Sequence, residues 1–401
     1  MVSKIIPRAY SLVALLLILR SPCLAQEEFL PYPGIIHIHS NISEGAYPLR
    51  KLVSLAQDKG IKIIILADTY LRRWEYGFVS VERDSVVKYG IKNYLQDLRK
   101  IKTEFPDMLI LEGVEVAPFY WWSGSPFKKN LTLNDWNTHL LVTGLKEYKD
   151  YAHLPVVGNR YFSPKLKDAP ALLIPALLII LGALLLKKKK QKKFLGIILN
   201  TAGILFLLNL YPFSSSRYNP YHGQRQYLPY QDLINYVNKN DGLVFWAHPE
   251  ITESASVGKF ATVNFYTPSY TEALISTSGY TGFGLNLLPG TSYDLVLAGG
   301  VWDEALIGYC EGKINQPVWV IAEADYRGPG KIDSVQNILF LPKFQPECVF
   351  EALRKGRFYI RYYSKNNTDI SLSDFHIEDS EMHTGGETAF IGEEIKITGK
   401  P

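Results

Sequence analysis

The stretch "GIIHIHSNISEG" places two of the chain's eight histidines, His37 and His39, one residue apart in a run of isoleucines. A β-strand sends alternate side chains to opposite faces. On a strand, both imidazoles would point one way, and Ile36 and Ile38 the other. Further polar residues recur where apolar runs end: Asp68 after "IIILA", Glu115 in "LEGVEV", His248 in "VFWAHPE" and Asp325 in "VIAEAD". Imidazole and carboxylate are the usual ligands of catalytic zinc, manganese or iron. The chemistry these residue types suggest is metal-assisted.

Strand and helix patterns alternate around them. "GIIHIH" reads as a strand, followed by a helix in "AYPLRKLVSLAQDKG", where Leu49, Leu52, Val53 and Ala56 keep helical spacing and Gly60 is a stop. "IKIIILAD" is a continuous apolar run, as a strand buried on both faces requires. "SVVKYGIKNYLQDLRKIKTEF" reads as one helix, "MLILEGVEV" and "THLLVTGL" as strands, and "YQDLINYVNKN" as a helix. "GLVFWAHPE", "YDLVLAGG" and "PVWVIAEAD" read as strands, with a helix in "VWDEALIGYCEG". "PECVFEALRKG" and "RFYIRYY" form a last helix and strand. Such alternation predicts an α/β fold with a parallel sheet. In a (β/α) barrel the carboxyl ends of the strands carry the chemistry, and that is where these polar residues fall.

The chain has 401 residues, 47% of them hydrophobic and 20% charged, enough for a sizeable core. The net charge of +4 falls to −2 once the six lysines of "KKKKQKK" are set aside, so no footprint for nucleic-acid binding remains. Cys23, Cys310 and Cys348 are too few for a disulfide framework. Residues 1–26 have the basic start, short apolar run and small residues of a secretory signal. Arg20 shortens that run, which leaves an uncleaved anchor as the alternative.

Residues 169–186 and 194–213 contain no charge, and the lysine patch lies between them. Each can about span a hydrocarbon core of roughly 30 Å, and short lysine-rich loops stay cytoplasmic. The expectation is a transmembrane hairpin over 169–213, anchored in the lipid bilayer with its tip in the cytoplasm. Both soluble parts, 27–168 and 214–365, then lie on the extracytoplasmic side and can build one site. A pair of buried core helices is the competing reading. Residues 366–401 alternate polar and apolar residues and read as a β-rich extension, with His376 and His383 on its surface. His153 and His222 flank the hairpin and read as peripheral.

In their order, "GIIHIHSNISEG", "IIILADT", "LEGVEV", "NTHLLVTG", "FWAHPE" and "WVIAEADYRG" resemble the PHP (polymerase and histidinol phosphatase) family of metal-dependent phosphoesterases. The resemblance covers roughly 34–144 and 228–362 and includes the closing "FEALRKGRFYI". It implies a distorted (β/α)7 TIM-like barrel with metals at the strand ends, interrupted by the hairpin. It also implies ligand roles for His37, His39, Glu115, His139, His248 and Asp325, with Asp68 as a further catalytic residue. Two positions depart from the family pattern: Thr69 follows Asp68, and Arg327 ends the last motif, where histidines are usual. One or two divalent ions (Mn, Zn or Fe) are then expected. Arg327 reads either as a guanidinium fork for a substrate anion or as a plug in a metal site. Glu112 should face away from Glu115, and Glu323 shares a strand face with Asp325 and could substitute for it as a ligand. Trp121 and Trp122, in "YWWSG", are either interfacial anchors or the rim of a substrate pocket. The expected activity is phosphoester hydrolysis, as a phosphatase or phosphodiesterase. The alternative is a binding or sensory module that keeps the fold without turnover.

Overall fold

The structure is a computed structural model. It describes residues 28–77, 79–159, 161, 173–188, 190–210, 218–223, 227–257, 263–287 and 294–362, with short stretches between 372 and 392. The leader expected at 1–26 lies outside the described residues.

The apolar runs become strands and the 3.6-period segments become helices that cover them. In chain order these are β1 (Leu30–Ile38), α1 (Leu49–Asp58), β2 (Ile63–Leu66), β3 (Asp68–Thr69), α2 (Ile91–Glu104), β4 (Leu109–Leu111), β5 (Gly113–Val116) and β6 (Leu140–Thr143). After the helices α3 (Leu173–Leu186) and α4 (Lys190–Leu210) come α5 (Leu228–Lys239), β7 (Leu243–Trp246), β8 (Gly282–Asn286), α6 (Val301–Cys310) and β9 (Trp319–Glu323). The chain then forms β10 (Val335–Leu341), α7 (Pro346–Lys355) and β11 (Phe358–Tyr362). The "SVVKYGIKNYLQ" segment is two helices rather than one, because Gly90 at φ +104° breaks it.

The two largest of the five sheets among the described residues are ordered β11-β10-β1-β2-β4 and β9-β8-β7-β6-β5-β3. They adjoin at both ends. Only Ala67 separates β2 from β3, and only Glu112 separates β4 from β5, so two strands begin in one sheet and end in the other. At the far side, the Ala324 and Tyr326 amides donate to Ile36 and His37 (3.1 and 3.0 Å), and the His39 amide donates to Tyr326 (3.0 Å). The tail of β9 is thereby held against β1.

The fold is mixed α/β, and its pairing corrects the all-parallel expectation. β6 runs antiparallel to both β5 and β7, and β10 runs antiparallel to β1 and β11. Between β5 and β6 no helix crosses the sheet. The chain instead makes a β excursion through Trp121–Ser123 and Leu131–Asn134, so it can return without a parallel crossover. The expected strand "YDLVLAGG" is also corrected: its described part, 294–300, is turn, and the strand at this place is β8, "GFGLN".

Two buried clusters sandwich the strands. Ile36, Ile63, Ile65, Leu141, Phe245 and Ile321 belong to one, closed at one end by Val349, Ala352 and Leu353 of α7. Ile35, Ile38, Ile64 and Leu66 belong to the other, against Leu52 and Val53 of α1 and Tyr94 and Leu98 of α2. Ile36 and Ile38 thus part company, against strict alternation. The cause is a bulge at His37, where the pairing shifts from Ile36–Ile65 to Ile38–Leu66.

Helices α3 and α4 pack as a close hairpin. A Cβ on Gly196 would lie 2.8 Å from the Gly182 carbonyl, and one on Gly203 would lie 3.0 Å from that of Pro175. Small residues here let two backbones touch. The outer faces, including Leu177, Leu181, Leu184, Phe194, Ile197 and Leu205, are exposed. Among the described residues no helix is long and apolar enough to cross a membrane. α3 has 14 residues, about 21 Å at 1.5 Å per residue, and the first turn of α4 holds Lys190, Lys192 and Lys193. Residues 169–172 and 211–213 of the expected spans lie outside the described residues. Of the C-terminal extension, His376–Glu378 pairs with Thr388–Phe390.

The joint between the sheets is tight. A Cβ on Gly113 would sit 2.2 Å from the Leu66 carbonyl, a backbone atom held in the sheet. Gly113→Ala is expected to cost about 1–3 kcal/mol as overpacking. A lower denaturation midpoint would show it, and an unchanged midpoint would contradict the close approach.

Candidate metal centre

The bulge decides how His37 and His39 meet. His37 takes φ +70° at the bulge, and its imidazole still shares one buried space with that of His39. Their ring centroids lie 5.0 Å apart. His248 (φ +31°) and Asp325 (φ +36°) also adopt left-handed backbone. Three of the six expected ligands therefore sit on conformations that side-chain-bearing residues rarely adopt, of the kind that gathers at functional sites.

Reversal of β6 explains His139. It precedes Leu140, the first residue of β6, whereas Glu115 and His248 lie at the ends of β5 and β7. In an antiparallel strand the start lies at the same rim as its neighbours' ends, as the Leu140–Val116 and Leu140–Trp246 pairs show.

Glu115 is the hub. Its Oε1 lies 2.7 Å from His139 Nδ1, 3.1 Å from His37 Nε2 and 3.5 Å from His248 Nε2, and its Oε2 is 3.7 Å from His39 Nε2. Asp325 Oδ1 is 3.3 Å from His39 Nε2 and 3.6 Å from His37 Nε2. All six expected ligands converge. Glu112 turns away and pairs with Lys102 at 2.7 Å.

The electrostatics match a cation site. Burial opposes charge on His37, yet Glu115, Glu323 and Asp325 raise its pKa well above the ordinary imidazole value. Burial likewise opposes charge on His248, but Glu115, Glu323 and Asp325 push it up to about 8. Burial works against ionised Glu115 too, and His139, His37 and His248 hold it well below the usual carboxylate range. Asp325 is lowered against burial by His37, His39 and Arg327. The same carboxylate field that keeps protons on imidazoles would draw in a divalent ion.

The residues also fit such an ion by geometry. His37 Nε2, His39 Nε2, His139 Nδ1, His248 Nε2, Glu115 Oε1 and Asp325 Oδ1 are all buried, and none has a well-aligned hydrogen bond. Buried polar atoms without partners are costly unless something completes them. Ligand atoms of His37, His39 and Glu115, and of Glu115, His139 and His248, lie within 4.8 Å of one another. Bonds of about 2.0–2.2 Å to a shared ion suit that spread. His37, His248 and Glu323 make a third such group.

The remaining expected site residues are placed differently. Asp68 is buried behind His39. Its oxygens accept from the Ser40 amide (2.7 Å), Ser40 Oγ (2.8 Å) and Ser43 Oγ (2.6 Å), so its carboxylate is occupied in bracing the 39–43 turn. Thr69 donates to Glu115 Oε2 at 3.2 Å. Arg327 pairs with Asp325 at 3.0 Å and approaches Glu44 at 3.6 Å.

A cavity of about 170 Å³ adjoins the cluster, bordered by His139, Thr69 and Arg327. Its aromatic walls are Trp74, Tyr120 and Trp136, not Trp121 and Trp122. Trp121 Nε1 is spent on Asp135 (2.7 Å), and Trp122 Nε1 on the Glu75 carbonyl (2.8 Å). Arg72 and Arg73 also line the cavity, Arg72 pairing with Glu44 at 2.5 Å. Sequence reasoning missed Arg72 and Arg73, and it read Trp74 only as an interfacial aromatic. Their one available signal was position: they lie three to five residues after the "IIILADT" motif.

No family model matches the sequence, and no curated protein matches it. Solved structures give remote similarities. One is a two-domain protein from Bacteroides vulgatus, described as containing a predicted PHP-like metal-dependent phosphoesterase. It is 13% identical with a TM-score of 0.40, and the match covers 84% of this chain and 66% of that one. This chain thus spans just under two thirds of that protein's length. Another is an amidohydrolase from Chromobacterium violaceum with bound sulfate and no metal, 14% identical with a TM-score of 0.34, over 84% of this chain and 99% of that one. At such distances the chemistry must be read from the geometry of the site itself.

Glu115→Gln is expected to weaken Mn²⁺ or Zn²⁺ binding by about tenfold or more, since loss of even an outer partner of a ligand costs about 10–100-fold. Equilibrium dialysis with elemental analysis measures it. Wild-type affinity in this variant would remove Glu115 from the ligand set.

Proposed function

We propose that this chain is a metal-dependent hydrolase of phosphoester bonds of the PHP kind, with its strands arranged as a distorted seven-unit barrel. One observation carries the reading: a buried carboxylate is ringed by four imidazoles with their facing atoms unsatisfied, and one of these, His139, borders a cavity that three arginines line together with Glu44 and Glu253. His37, His39, Glu115 and Asp325 would hold one divalent ion, and Glu115, His139 and His248 a second. Such an ion supplies a Lewis acid for the phosphoryl oxygen and acidifies a water. The chain's own part is to bind and orient. Arg327, Arg72 and Arg73 supply guanidinium donors suited to phosphate, and the aromatic walls exclude water, which strengthens those contacts. Thr69 fixes the Glu115 carboxylate.

A binding module without turnover is favoured by one observation, the Arg327–Asp325 pair where the family pattern has an imidazole. A fixed cation holds an anion but cannot activate water. Elemental analysis and turnover separate the readings. The hydrolase should carry one or two transition-metal ions per chain and cleave an aryl phosphate or phosphodiester. His37→Ala and chelation should each abolish that activity. Less than one ion per chain and no turnover with Mn²⁺, Zn²⁺ or Fe²⁺ would defeat the hydrolase.

The proposal includes a tether. The exposed apolar faces of α3 and α4, with lysines at their turn, support a hairpin lodged in the bilayer. The soluble parts would then be extracytoplasmic. With Cys23, Cys310 and Cys348 replaced by serine, since Cys310 is exposed, a cysteine introduced in the lysine turn should react with an impermeant maleimide only after permeabilisation, and one at the exposed Asn235 without it. Labelling of the turn in intact cells would reverse the orientation.

A further inference from the structure

Glu323 takes no part in the proposed function, yet it is among the most deeply buried carboxylates in the chain, 1% exposed at the end of β9. A single oxygen, Oε2, meets two groups. It lies 3.2 Å from His37 Nδ1 and accepts from the His248 backbone amide at 3.2 Å. Room for the carboxylate exists because β8 has no side chain there. A Cβ on Gly284 would fall 1.7 Å from Glu323 Oε1.

The two contacts join two strained places. His37 sits at the bulge in β1, and His248 follows β7, both with left-handed backbone. Their rings stack 15° from parallel with centroids 5.8 Å apart. His37 meets carboxylates on opposite edges of its ring: Glu115 at Nε2 (3.1 Å) and Glu323 at Nδ1 (3.2 Å). A carboxylate behind a ligating imidazole fixes the ring and its proton and makes the other nitrogen a better donor.

We infer that Glu323 is a positioning residue for the metal centre: it accepts from His37 Nδ1–H and the His248 amide through one oxygen, and so aims both imidazoles at Glu115. This rests on the metal-site reading and assigns Glu323 behind the ligands rather than among them.

The test uses the full chain and Mn²⁺ alone as probe. E323A should weaken Mn²⁺ affinity by about 10–100-fold. E323Q, whose amide oxygen can still accept both bonds, should recover most of that loss. E323A binding Mn²⁺ like the wild type would overturn the inference. E323Q as weak as E323A would also overturn it, since that pattern marks a direct ligand. A metal-free measurement separates this from the parent reading. In apo protein, the shifts in thermal midpoint caused by H37A and E323A should fail to add in the double variant, and additive shifts would refute the pairing. If the wild type takes up no metal, the hydrolase reading fails and the apo cycle alone decides whether Glu323 holds His37.

Discussion

A fully buried carboxylate is the constraint on which the rest of this molecule depends. Glu115 has no solvent exposure and lies within 3.7 Å of four imidazoles drawn from three separate regions of the chain. Taking ions out of water costs several kcal/mol each after relaxation. Such a group is tolerable only if its partners arrive together. His37 comes from β1 and His39 from just beyond it, His139 from just before β6 and His248 from just after β7. The order of the strands, the reversal of β6 and the shared rim all serve that convergence. An ion at the centre would exchange the imidazole protons for a fixed charge that the same carboxylates already favour.

The backbone carries part of the cost. Left-handed conformations at His37, His248 and Asp325 cost of order 1–3 kcal/mol each. They persist because hydrogen bonds over-determine them. The His37 carbonyl accepts from the Tyr326 amide, and the His39 amide returns to the Tyr326 carbonyl, both at 3.0 Å. The His248 carbonyl accepts from Ile251 at 3.1 Å. Hydrogen bonds thus bracket His37 and reach Asp325 through its neighbour Tyr326.

Much of this was legible in the residues. Histidine and carboxylate at the ends of apolar runs named five of the six converging side chains, because ligand chemistry restricts residue type; His139 was named only by the family resemblance, and Asp68, named with the five, braces the 39–43 turn instead. Less visible was how they converge. Period-two reasoning put Ile36 and Ile38 together, and it has no means to register one extra residue in a strand. The reversal of β6 was hidden because a four-residue apolar strand reads the same in either direction. Trp121 and Trp122, read as either interfacial anchors or a pocket rim, do not line the cavity beside the cluster, for a related reason. Nearness in sequence to Glu115 does not imply nearness to the cavity, and Trp74 arrives from a hairpin, Arg73–Tyr76 with Val79–Glu82, that folds over from β3. Glu323 was noticeable as a spare ligand. Only the fold puts it on the far edge of the His37 ring.

The reversal of β6 also brings together the two ends of a long connection in the chain. Thr143 and Leu243 are paired in the sheet, so the chain leaves and re-enters at adjacent points. Of what lies between them, Tyr151, Leu154 and the Leu233, Ile234 and Val237 face of α5 pack into the core, while the hairpin of α3 and α4 keeps its outer faces exposed. Closing a longer loop costs only about 0.6 kcal/mol per doubling of its length. Beyond that same pair of strands, His139 and His248 face each other with ring centroids 5.7 Å apart. Had β6 run parallel to β7, His139 would open at the opposite rim. The antiparallel pair therefore does two things at once: it puts two imidazoles on one carboxylate, and it provides a place where the hairpin can be attached with little disturbance to the centre.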